Sequence, residues 1–330
     1  MTLSPSHIGI VCGALYGLLF RVVWELDKLS HLNGLVTASF LFLVPFAIGY
    51  IRIYYELKQC QTISASRAST LAWQPVFVCM LVSVITLLEG SICVVLASPA
   101  FLFFASMGGL AARWIQLRQA TKSDKPLLCT ILLPVLCTPI ELTTLSSTYQ
   151  YTVSDSVIIQ ATPDQVWQEL GNVSDISKDE LPLSFGQLIG IPRPLRASMS
   201  ALENNAVRTS EWEKGVVFQE IITAWEPAER MAYRFDINPE QIPDTALDKH
   251  VKMGGELFSP LYGSYHLQLT PEGHTLLTLS TTLTDNTNLG GYSRFWGRVI
   301  FHDFHYMLLR LMKLRAEQHT VKSKSHGSAS

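Results

Sequence analysis

No cysteine stands after Cys137. All six (Cys12, Cys60, Cys79, Cys93, Cys129 and Cys137) fall in the first half of the chain, mostly inside apolar runs. No disulfide framework and no zinc-binding spacing can be drawn from them, and they leave the redox compartment open. Charge is balanced and sparse, with 25 Lys/Arg against 27 Asp/Glu in 330 residues. Residues 150–330 hold 16 of the basic and 21 of the acidic groups, so that half has no basic excess to offer a phosphate backbone and nucleic-acid binding is not expected. A nucleophile elbow, a phosphate loop, a Rossmann fingerprint and an HExxH pair are all absent, and no cofactor is implied. Long apolar runs are missing after about residue 145, whereas five of them crowd the residues before it.

Those five runs, 7–26, 34–53, 73–97, 99–117 and 126–145, each have about the 20 apolar residues that a helix needs to cross roughly 30 Å of hydrocarbon. They predict a transmembrane helical domain over 1–148. The first run has no basic segment before it and no small-residue cleavage site after it, so it reads as a retained span. The fourth follows the third after only Ser98-Pro99, as a tight hairpin or a re-entrant piece. Arg52, Lys58 and Arg67 follow the second run, and Arg113, Arg118, Lys122 and Lys125 the fourth. By the positive-inside rule that side is cytoplasmic. The expected location is then multi-pass in a bacterial inner (plasma) membrane, with the C-terminal domain on the periplasmic side.

Two charged residues inside these runs need partners. Glu89 sits past the middle of LVSVITLLEGSICVVLAS, where a bare carboxylate is costly. Arg21, in GLLFRVVWEL, is the partner expected for it. A structural pair inside the bundle is preferred over a proton path, which needs a relay of such groups. Gly108-Gly109 would let two helices approach closely.

After residue 149 the pattern changes to alternation. Strand-like runs fall at 151–160, 195–202, 206–213, 216–225, 230–237, 261–270 and 275–284, with turn residues between them. Thr162 and Pro163 open a helix after the first strand. A long amphipathic helix over about 291–317 shows Phe295, Val299, Phe301, Met307, Leu308, Leu311, Met312 and Leu314 as an apolar stripe. Residues 319–330 are polar and read as a disordered tail. The expected fold is an all-α membrane bundle followed by an α+β domain over 149–318, in which a curved antiparallel sheet wraps a long C-terminal helix and leaves a cavity between them.

The stretch VIIQATPDQVWQEL resembles the opening of START-like, polyketide cyclase/dehydrase-like (SRPBCC, helix-grip) domains. FLFLVPFAIGYI, LLEGSICVVLASP and SMGGL, with IGIPRPLRA, AVRTSEWEKGVVFQEIITAWEPAERMAYRF and FWGRVIFHDFHYMLLRLMK, are similar to uncharacterised bacterial membrane proteins that join a helical bundle to such a domain. The sequence departs from their pattern at ALENNAVR and at Ile221 after Glu220. The resemblance implies a cavity and assigns no activity.

Within that expected cavity, His302 and His305 lie three apart on one helix face. Glu220 interrupts VVFQEIITAW and, if inward, needs Arg298 or one of these histidines. Trp212, Glu220, Trp225, Tyr233, His266, Arg298, His302 and His305 are the candidate ligand-binding residues. No metal site is read. One would have to be built from His250, His302 and His305, and H-x-x-H spacing more often marks a structural pair. The proline- and glycine-rich segment 237–263 reads as a lid or a passive insertion. The favoured function is a membrane-anchored protein that binds a hydrophobic small molecule or lipid. The alternatives are a cyclase- or hydrolase-type enzyme using Glu220 with His302 or His305, and a module docking a protein partner whose identity the sequence does not give.

Overall fold

A computed structural model describes residues 4–25, 38–118, 124–144, 148–243, 246, 253–255 and 258–327. They form two compact units, a helical one over residues 1–147 that also takes in 287–290, and one of strands and helices over 148–286 and 291–330.

The helical unit contains α1 (Pro5–Glu25), a π-helical turn Ser39–Leu43 that runs into α2 (Val44–Gln59), α3 (Ala65–Ile85), α4 (Ser91–Arg118) and α5 (Lys125–Thr144). Four stretches, Pro5–Val23, Ser39–Gln59, Ala65–Ile85 and Ser91–Arg118, are long and apolar enough to cross a membrane, and Lys125–Thr138 forms a shorter apolar helix. The side chains of α5 are described only as far as Thr138.

The break expected at Ser98-Pro99 lies elsewhere. Pro99 is inside α4, and the chain turns at residues 86–90, where Leu87 has φ 56°. A proline deprives a helix of one hydrogen bond, and neighbouring helices can make that good in an apolar bundle. Glu89 therefore lies in the turn between two helices rather than inside a span. Arg52, expected in a connecting segment, is buried inside α2, because Glu56, Gln74 and Ser6 surround its guanidinium. At Gly49 and Gly108 α2 and α4 touch backbone to backbone. A Cβ on Gly49 would lie 1.9 Å from the Ala105 carbonyl oxygen, and one on Gly108 1.9 Å from that of Phe46. Trp73 Nε1 fastens α3 to α4 by donating to Ser106 Oγ at 2.8 Å.

The second unit is a seven-stranded antiparallel sheet with a long helix, consistent with the helix-grip arrangement. Its strands are β1 (Tyr149–Ile159), β2 (Pro194–Met199), β3 (Val207–Trp212), β4 (Val216–Glu226), β5 (Arg230–Asp236), β6 (Phe258–Leu269) and β7 (Thr275–Asp285). They lie in the order β1-β7-β6-β5-β4-β3-β2. Between β1 and β2 come α6 (Pro163–Gly171), opened by Pro163 and by Thr162 N donating to Gln165 Oε1 at 2.9 Å, and the short α7 (Phe185–Ile189). The last helix, α8, runs Gly291–Gly327. It extends through most of the tail expected to be disordered from residue 319, since no proline or glycine interrupts the sequence before Gly327.

Alternation decides which face of each strand is buried. On β7, Thr275, Leu277, Leu279, Thr281 and Leu283 are buried. The opposite face carries hydroxyls that pair with β1: Thr152–Thr282, Ser154–Ser280 and Ser156–Thr278 at 2.8–2.9 Å. From α8 the buried apolar side chains include Phe301, Met307, Leu309, Leu311, Met312 and Ala316. Phe295, expected in that stripe, is exposed. Asp303 accepts hydrogen bonds from Phe185 N (2.9 Å) and Gly186 N (2.8 Å), holding α7 against α8. Of the candidate lid 237–263, residues 244–245, 247–252 and 256–257 lie outside the described residues. Ile242 and Ala246 are buried against Val216 and Phe218, and β6 begins at Phe258, earlier than expected.

Candidate functional site

β3 and β4 place Arg208 and Glu220 directly opposite each other on the inner face of the sheet. Arg208 Nη1 is 2.5 Å from Glu220 Oε2, with both side chains almost wholly buried. Arg208 Nε also donates to the Gly171 carbonyl at 3.2 Å. Burial opposes the charge on this guanidinium, but Glu220, Tyr265 and Tyr233 outweigh it and hold its pKa above the usual arginine value.

The register carries this polar floor across the sheet. Tyr233 is opposite Gly263, which is opposite Thr281. A Cβ on Gly263 would fall 2.3 Å from Tyr233 Cζ, so the phenol lies flat over the missing side chain. In the next row Tyr265 is opposite Leu279. Burial keeps both phenols protonated, pushing Tyr265 up to about 12 and Tyr233 well above its ordinary value.

Helix α8 brings His305 onto this floor. His305 is buried; its Nε2 is 2.9 Å from Thr281 Oγ1 and its Nδ1 2.8 Å from Asp155 Oδ2. His302 Nδ1 approaches both oxygens of the same carboxylate at 2.8 Å. An ionised carboxylate has no proton to give, so His305 Nδ1–H donates to Asp155 and Nε2 accepts from the Thr281 hydroxyl. Desolvation depresses the His305 pKa, against the pull of Asp155, and the ring is neutral near pH 7.

A cavity of about 80 Å³ lies between sheet and α8, and Thr281 and His305 line it while Asp155 and His302 do not. Arg208, Glu220, Tyr233, Tyr265, Thr281 and His305 are among its polar lining residues. Trp212, Phe218, Phe235, Phe304, Leu308 and Met312 are among its apolar walls.

The sequence-based candidates divide. Trp212, Glu220, Tyr233 and His305 line the cavity, with Trp212 Nε1 donating to Ser210 Oγ at 2.9 Å. Trp225 stands apart from that lining and packs on Trp167 (centroids 4.6 Å), because it lies at the β4 end beside α6. His266 is exposed on β6, since alternation turns it away from the inward Tyr265. Arg298 is exposed with its guanidinium 5.4 Å from the Tyr151 ring centre. His302 is half-exposed and holds Asp155 from the solvent side. His250 lies outside the described residues. Glu220 pairs with Arg208 rather than with Arg298 or a histidine, because its cross-strand neighbour is nearer than anything on the helix. His302 and His305 hold a carboxylate, and among the described residues no group of three His, Cys, Asp or Glu side chains is placed to hold a metal ion.

Sequence reasoning missed Arg208, Thr281 and Asp155. Alternation carried a signal for the last. The inward positions of β1 are Tyr151, Val153, Asp155, Val157 and Ile159, a single carboxylate in an apolar row.

No family model matches the chain, and no curated protein matches it. Solved structures do. A Staphylococcus aureus protein of unknown function aligns at 10% identity over 53% of this chain and 98% of its own, with TM-score 0.36. The Zhui aromatase/cyclase of a Streptomyces species aligns at 15% identity over 52% and 96%, with TM-score 0.34. A point mutant of Thalictrum norcoclaurine synthase, in complex with a transition-state analogue, aligns at 11% identity over 53% and 98%, with TM-score 0.33.

Proposed function

We propose that the helical unit anchors the protein in a membrane, and that the sheet and α8 hold a slender hydrophobic molecule or lipid. The observation that carries the ligand reading is an apolar-walled space with a polar floor between the sheet and α8. Binding sites for small molecules have this composition. At about 80 Å³ the space is small beside the roughly 300–1,000 Å³ of typical ligand pockets. It suits an acyl chain or a single ring, and a bulkier ligand would have to turn the Phe218, Phe235 or Phe304 ring aside. Arg208, Tyr233 and Tyr265 would receive a carbonyl or carboxylate at the polar end.

Support for the anchor comes from inverted polarity. Leu15, Leu19, Leu81, Ile85 and Leu136 are exposed on the helical unit while Arg21, Arg52 and Glu56 are buried. Lipid around the helices would account for both. Lys58, Arg67, Arg113 and Arg118 flank the connections at 60–64 and 119–123, which we assign to the cytoplasmic side of a bacterial inner membrane. The second unit is then extracytoplasmic. Protease added to intact spheroplasts should cleave it, and full protection would reverse the orientation.

For the ligand, the full chain purified in detergent should take up a fluorescent polyene fatty acid. Leu308→Trp, which fills the cavity, should abolish uptake without lowering the melting temperature. Undiminished uptake by that variant would place binding elsewhere.

A further inference from the structure

We infer that Thr281, His305 and Asp155 form an acyl-transfer site in the cavity, with Thr281 as nucleophile toward a slender acyl ester. The inference rests on the proposed binding of a hydrophobic molecule there and adds a reaction to it.

An activated hydroxyl needs a base within hydrogen-bond reach and a third group that fixes the base. Here the base is His305, whose Nε2 is 2.9 Å from Thr281 Oγ1. The third group is Asp155, 2.8 Å from Nδ1. The carboxylate fixes the tautomer that leaves the Nε2 lone pair on the threonine hydroxyl. His302 binds both Asp155 oxygens and acts as a positioning residue, keeping the carboxylate turned toward His305. Thr281 and His305 both line the cavity, so an acyl chain against Phe304 and Leu308 would bring its carbonyl to this end. Tyr233 lies over Gly263, the cross-strand neighbour of Thr281, and its protonated hydroxyl is a donor for the developing oxyanion.

The chemistry balances with water as the only co-reactant. Thr281 Oγ attacks the ester carbonyl carbon as its proton moves to His305 Nε2. The carbon–alkoxide bond then breaks, and the alcohol leaves with that proton. Water, deprotonated by the same nitrogen, attacks the acyl-threonine and releases the free acid, restoring the Thr281 hydroxyl. A cavity of about 80 Å³ has room for that water.

The test uses the full chain in detergent, an alkyl fluorophosphonate and p-nitrophenyl butyrate. The wild type should gain one phosphonyl group, mapped by peptide mass spectrometry to Thr281, and should hydrolyse the ester. Thr281→Val, which keeps the shape and removes the hydroxyl, should lose the adduct and slow hydrolysis by about a hundredfold or more. Thr281→Ser should keep both, and Asp155→Asn should lower kcat with little change in KM. Polyene fatty-acid uptake is measured on the same samples. Uptake without a Thr281 adduct, or Thr281→Val hydrolysing like the wild type, overturns the acyl-transfer site and spares the binding reading. Loss of uptake in the folded wild type overturns both.

Discussion

The two units bury the same kind of ion pair with different sets of partners. In the helical unit, Arg21 meets Glu89 and also donates to the Leu88 carbonyl, while Arg52 is shared among Glu56, Gln74 and Ser6. In the other unit Arg208 has Glu220 and one carbonyl, that of Gly171. In the proposed membrane setting polar groups have to be satisfied from within the bundle, and Arg52 has two neutral side chains besides its carboxylate. Arg208 has Glu220 as its one side-chain partner, and removal of that carboxylate leaves a buried charge with a single carbonyl. Redundancy should therefore differ between the units, and so should the cost of losing a carboxylate.

The largest expected effect follows from that difference. Glu220→Leu should destabilise the strand-and-helix unit by about 3–5 kcal/mol, and adding Arg208→Met should restore most of the loss. Thermal melting of the full chain by near-ultraviolet circular dichroism would show this. Glu56→Leu leaves Arg52 its hydrogen bonds to Gln74 and Ser6 and should cost less, about 1–3 kcal/mol. Equal costs would end the distinction between the units.

Next come the two close approaches that glycine permits. Gly108→Ala drives a Cβ into a backbone oxygen that has no room to yield, whereas Gly263→Ala meets a phenol that can rotate. Overpacking of this kind costs about 1–3 kcal/mol. The helical substitution should lie at the top of that range or above it. The sheet substitution should be milder but push the Tyr233 ring into the cavity, so fatty-acid uptake should fall more than stability does. A Gly263→Ala variant that binds normally would remove Tyr233 from the site.

The sequence displayed the second unit's fold plainly, because alternation and a 3.6-residue stripe each have one face toward the core. Seven strands and the long helix fall close to where those periods put them. The Arg21–Glu89 contact was legible for a similar reason, since charge is rare enough in apolar runs to have few partners. The turn between α3 and α4 was not, because Pro99 has the signature of a helix breaker yet lies inside α4, while the residues that do turn, TLLEG, contain only one glycine. Nor was the polar floor of the cavity. VRTSEW has polar residues on both faces, so nothing local says that Arg208 and Ser210 point inward. Thr281 is one of six threonines or serines in β7, and only the register with Gly263 and the seating of His305 set it apart.

The smallest effect is a pH slope confined to one unit. An unfolded-chain histidine takes up a proton near pH 6.5. In the fold, His305 resists protonation because burial outweighs the attraction of Asp155, and His302 beside it adds to that resistance. Below about pH 6.5 the unfolded state therefore binds a proton that the native state refuses, and stability falls as pH falls through this window. Glu180 and Glu213, depressed by Arg315 and Arg193, shed their contributions further down, below the ordinary carboxylate value of 4.5. Among the described residues the helical unit buries no histidine and has no matching group for the window. Melting midpoints at pH 7.5, 6.5 and 5.5 should decline in the wild type for the transition of the strand-and-helix unit. His305→Asn keeps a donor toward Asp155 and cannot titrate, so its midpoints should be flatter over the same interval even if they are lower throughout. Parallel slopes in the two proteins would mean that His305 is not held neutral. The base needed at Thr281 would then be missing at acidic pH for no reason that burial supplies.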